Sequence, residues 1–155
     1  MIRPPPPLNY EVSWRPVPIR APQSTAFFQA LLAQLETDTM AAETALKRID
    51  DALALACQGD NRCSLSFIDR LRGEILLKRD PSNSAPAEEA FRTAIDFARH
   101  QSARSLGLQA ALALAKLLRS IGQAPEAHAV LAPALEGFSP TPEMPEIAEA
   151  MSLST

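Results

Sequence analysis

No valine occurs between Gln23 and Ala124, and the β-branched aliphatic residues of that stretch are Ile49, Ile68, Ile75, Ile95 and Ile121. Strands pack largely through such side chains, so five of them over so long a run leave little from which to build a sheet. Alanine (27) and leucine (20) fill the 155-residue chain instead, and both lose little freedom in a helix. The composition therefore predicts an all-α protein of one compact domain.

Proline marks the boundaries. Seven of the 14 prolines lie in the first 22 residues and five lie from Pro125 onward, leaving Pro81 and Pro86 between. Residues 1–22, with the run Pro4 to Pro7, predict an extended polyproline leader that buries little by itself. Residues 23–138 carry helical spacing throughout, and residues 139–155 predict a tail with one capping helix. Within the central region the first helix opens at Ser24-Thr25 and presents Phe27, Phe28, Leu31, Leu32 and Leu35. Thr37 to Thr39, Gly59, Pro81, Gln101-Ser102, Gly122 and Gly137 supply caps and stops. They divide the region into three helical hairpins, at about 24–59, 61–101 and 103–137.

The second helices share one template. Ala45-x3-Ile49-x2-Ala52 is repeated as Ala87-x3-Phe91-x2-Ala94 and as Ala127-x3-Leu131-x2-Ala134. Small residues at the first and third positions let helices approach closely, while the bulky middle residue fills the space between them. Ala33, Gly73 and Ala115 are the matching small residues on the first helices.

This series resembles the tetratricopeptide repeat, which pairs a small residue in its first helix with an A-x3-F-x2-A core in its second. The resemblance covers about residues 24–137 and implies a solenoid of three hairpins with a short C-terminal cap. Two features depart from the family pattern. Asp69 and Leu76, then Ala111 and Leu118, stand where the signature carries tryptophan and tyrosine, and equivalent alanines are 42 and 40 residues apart rather than about 34. The segments 69–77, 90–95 and 101–115 also resemble the C-terminal helical repeats of large bacterial signalling proteins that carry cyclase and ATPase domains. That similarity implies a regulatory or scaffolding role in bacterial signalling. No P-loop G-x-x-x-x-G-K-[ST] accompanies it here, so neither enzymatic activity carries over.

In repeats of this kind the first helices line a groove. Counting from Ala33, Gly73 and Ala115, the groove positions hold Phe27, Ala30 and Gln34, then Phe67, Arg70, Glu74 and Lys78, then Gln109, Leu112, Lys116 and Arg119. Their mixture of charge and apolar surface suits a protein or peptide ligand, with Arg70 and Arg119 available to clamp a carboxylate. The alternative is a solvated face closed by intrahelical pairs such as Arg70 with Glu74. A second role is self-association as a homodimer through the first hairpin, whose Phe27, Phe28 and Leu31 have no upstream helix to cover them.

Other classes find less support. A net charge of −3 gives no field to attract nucleic acid or an anionic membrane. No apolar run approaches a bilayer span, and the N-terminus lacks the apolar core of a secretory signal, so a cytoplasmic protein is expected. Cys57, Cys63, His100 and His128 fit no metal-ligand spacing, and no nucleophile motif is present, so no metal, cofactor or catalytic residue is expected. A concealed sensor or enzyme would rest on the Cys57 and Cys63 pair alone.

Overall fold

The computed structural model describes residues 22–36, 42–58, 64–139 and 144–154. These residues form seven helices and no strand: α1 (Pro22–Glu36), α2 (Ala42–Gln58), α3 (Leu65–Arg79), α4 (Ala85–His100), α5 (Arg104–Ser120), α6 (Ala124–Leu135) and α7 (Pro145–Leu153). The described protein is therefore all-α. Residues 1–21 of the expected leader, the expected caps at 37–39 and Gly59, and Cys63 lie outside the described residues, and Pro22 belongs to α1.

Local chemistry accounts for the helix ends. Helix α3 stops at Arg79 because Pro81 disfavours helical geometry at Asp80, which sits at φ −143° and ψ 88°. Asp80 then accepts hydrogen bonds from the Ser82 amide (3.1 Å) and hydroxyl (2.6 Å), fixing the turn into α4. Helices α4 and α5 end in the same way. The amides of Ser102 and Ala103 bond back to the carbonyls of Arg99 and Ala98, and those of Gly122 and Gln123 to Arg119 and Leu118. Both turns are Schellman motifs, with Ser102 (φ 55°) and Gly122 (φ 83°) in the left-handed position.

The helices pack in chain order, with the largest interfaces between α1 and α2, α3 and α4, and α5 and α6. Alternate helices also meet: α3 touches α1 and α5, and α5 touches α7. The odd-numbered helices thus form one continuous row. The alanine template supplies the core. Ala45, Ile49, Ala52, Ala87, Phe91, Ala94, Ala127 and Leu131 are all buried, and Ala134 is half-buried. Gly73 is the point of closest approach, since a Cβ there would lie 2.5 Å from Cε1 of the Phe91 ring.

Helix α1 differs from expectation in two respects. It runs from Pro22, so Ser24 and Thr25 lie inside its first turn, and proline at an opening position lacks the amide that a cap would otherwise have to satisfy. Its buried face consists of Ala26, Ala30 and Ala33, while Phe27, Phe28 and Leu32 are 40%, 60% and 46% exposed. Ala30 is thereby a core residue rather than a groove residue. The methyl-sized face lets α1 lie close against α2, while Phe28 and Leu32 stay largely in water and the Phe27 ring lies against Phe67 of α3.

A candidate binding cleft between α3, α5 and α7

The row of odd-numbered helices carries the candidate ligand positions. Between α3, α5 and α7 lies an open cleft of about 650 Å³. Five of the eleven groove residues expected from the sequence line it: Arg70, Glu74, Gln109, Leu112 and Lys116. Leu77, Leu117 and Ile121 add apolar surface, and Phe91 of α4 reaches it from behind. Leu112 is almost wholly buried and so belongs to the core as well as to the wall of the cleft.

Helical spacing explains the convergence. Residues 70, 74 and 77 share one face of α3, as 109, 112, 113, 116 and 120 share one face of α5. Across the cleft α7 contributes Glu146 and Glu149, which the sequence reading did not include because it treated this helix as a cover only. Their signal was the spacing of three residues on one face of an amphipathic segment. Ile147 and Ala150 are buried, seating α7 on the stack.

Four of the five charged side chains of the cleft form two ion pairs. The Arg70 guanidinium donates to the Glu74 carboxylate one turn away, and Lys116 Nζ lies 2.7 Å from Glu149 Oε1. Both members of the second pair are about half exposed, so it contributes no more than about 1 kcal/mol to stability. Ser120 is the hydroxyl at this site, and it donates to the Leu117 carbonyl at 2.6 Å. Among the described residues no histidine or cysteine lines the cleft.

The remaining expected residues are distributed around it. Phe27 of α1 stacks against Phe67 of α3 with ring centroids 5.0 Å apart, and Arg70 lies over the Phe67 ring at 5.3 Å. The aromatic pair thus extends the cleft wall toward α1. Gln34 and Lys78 are exposed and are not among the cleft residues. Arg119 donates to the Leu153 carbonyl at 3.3 Å, tying α5 to the end of α7. Arg70 and Arg119 are therefore held by different partners and do not form a joint clamp here.

Cys57 is a free, exposed thiol, and His100 and His128 are exposed. No group of three or more His, Cys, Asp or Glu among the described residues could hold a metal ion. No helix among them is long and apolar enough to cross a membrane. Comparison with family models, with curated proteins and with solved structures yields no match to this chain.

Proposed function

We propose that the chain is a non-catalytic protein- or peptide-binding module, built as a tetratricopeptide-like solenoid of three hairpins with α7 as its cap. On this reading it serves as a regulatory or scaffolding component of bacterial signalling in the cytoplasm. The single observation that supports the binding role is the cleft between α3, α5 and α7, where leucine side chains lie beside ion pairs. An extended peptide or an amphipathic helix with both apolar and charged residues suits such a surface.

The test is a peptide selection on the full chain from a random library. Peptides recovered this way bind the parent and weaken by about tenfold or more on Gln109→Trp, which fills the cleft, as expected when a central contact is lost. Asp96→Lys, on an exposed face of α4, leaves them unaffected. Recovery of no binder, or of binders indifferent to Gln109→Trp, overturns the proposal.

A second reading is self-association through the first hairpin, favoured by the exposure of Phe27, Phe28 and Leu32 on a single helix. Sedimentation equilibrium over a wide concentration range tests it. A dimer abolished by Phe28→Glu with Leu32→Glu supports the assembly role, and a parent that stays monomeric removes it.

A further inference from the structure

On the side of α3 roughly opposite the binding cleft, a second cleft of about 540 Å³ lies where α2, α3 and α4 meet. Its charged residues are Asp50 of α2, Asp69, Arg72 and Arg79 of α3, and Glu89 of α4. Three carboxylates thus face two guanidinium groups. Asp69 is the unusual member, because it lines this cleft yet is only 5% exposed. It makes no hydrogen bond or ion pair among the described residues. Arg72, the cation that acts on it most strongly, lies 3.2 Å from Asp50 instead.

A carboxylate withdrawn from water without a donor is costly. Burial raises the Asp69 carboxyl to about 6, Arg72 opposes the rise and Asp50 adds to it. At neutral pH the group is nevertheless mostly ionised, with unused acceptor positions on a cleft large enough for a small organic group. The walls include Leu46, Leu76 and Ala90, which suit an apolar stem rather than a bare inorganic ion. A head group that donates several hydrogen bonds and carries positive charge would satisfy Asp69.

We propose that this cleft binds one organic cation, an ammonium or guanidinium head on an apolar stem, with Asp69 as its carboxylate anchor. The site is separate from the cleft of the peptide-binding reading and stands or falls independently of it. Two sources offer this chemistry, the lysine or arginine side chain of a peptide and a free diamine.

Calorimetric titration of the full chain with N-acetyl-arginine amide, N-acetyl-lysine amide and putrescine tests the site. At least one of them binds at about pH 8 and weakens by about tenfold at about pH 5, where the carboxyl is about nine-tenths protonated. Preference for an amino-acid amide identifies a peptide side chain as the source, and preference for putrescine identifies a free diamine. Asp69→Asn removes a buried charge and so preserves folding, yet it abolishes binding. N-acetyl-citrulline amide, the neutral isostere, does not bind. The proposal is overturned if none of the three cations binds, if citrulline amide binds equally, or if Asp69→Asn retains the affinity of the parent.

Discussion

Helices α1 and α3 both belong to the row of odd-numbered helices, yet they bury different parts of their surfaces. Helix α3 has neighbours on both sides and buries more than half of its residues, including Leu65, Ile68, Leu71, Gly73, Ile75 and the charged Asp69. Helix α1 lies at the end of the described stack, buries Ala26, Ala30 and Ala33 and leaves Phe27, Phe28 and Leu32 40–60% exposed. Position in the stack, more than the helix's own hydrophobic pattern, decides which side chains leave water. A central helix needs glycine and tolerates a trapped carboxylate, whereas an end helix carries large apolar groups on its surface.

The largest effect that would break this contrast is Phe91→Ala. It removes the ring that fills the space against Gly73 and lowers stability by about 3–5 kcal/mol in urea denaturation. Gly73→Ala introduces a Cβ against the same ring, and its overpacking outweighs the gain in helix propensity for a net loss of about 1–2 kcal/mol.

Asp69→Asn sharpens the comparison in the opposite direction. The folded protein binds the Asp69 proton more tightly than the unfolded chain does, since the carboxyl is raised to about 6. The protonated form is thus the stabilising one, and its contribution fades as pH rises from about 4 through about 6. The variant is expected to exceed the parent by about 1–3 kcal/mol at about pH 8, with the advantage vanishing near pH 4. A pH-independent difference between the two would mean that Asp69 is not the titrating group.

Ser102→Gly relieves a left-handed residue (φ 55°) and is expected to add about 0.5–1 kcal/mol, read as a shifted urea midpoint at unchanged slope. The smallest effect belongs to α1. Phe28→Ser alters a side chain that is mostly in water and changes monomer stability by no more than about 0.5 kcal/mol.

Much of this contrast was legible in the sequence. The alanine template located the core because its spacing is local to each helix, and Pro81, Ser102 and Gly122 marked helix ends through chemistry that acts over a few residues. Gly73 also announced itself, being a small residue aligned with Ala33 and Ala115. The buried face of α1 was not legible, because Phe27, Phe28, Leu31 and Leu32 form a better apolar pattern than Ala26, Ala30 and Ala33. What reverses that preference is how α2 and α3 pack on α1, which spacing within α1 does not encode. Half of the expected groove lines the cleft, since helical spacing fixes which residues share a face. Spacing places Glu146 and Glu149 on one face of α7, but it could not reveal that this face lines the cleft of α3 and α5 or that Arg119 turns to α7. Asp69 was visible as a carboxylate in a place where the repeat signature carries a bulky residue, but its burial depends on α2 and α4 together.

The interface of α1 has a consequence for alignment. Ala26, Ala30 and Ala33 are the buried residues of α1, which packs on α2, a helix whose buried side chains include Ala45, Ile49, Ala52 and Ala56. Methyl groups cost no rotamer entropy on burial and allow a short interaxial distance. They also make a smooth track, since sliding the helix by one turn sets methyl against methyl again. Along that track the Phe27 ring, lodged against Phe67 of α3, acts as the detent that gives the opening pair its axial register.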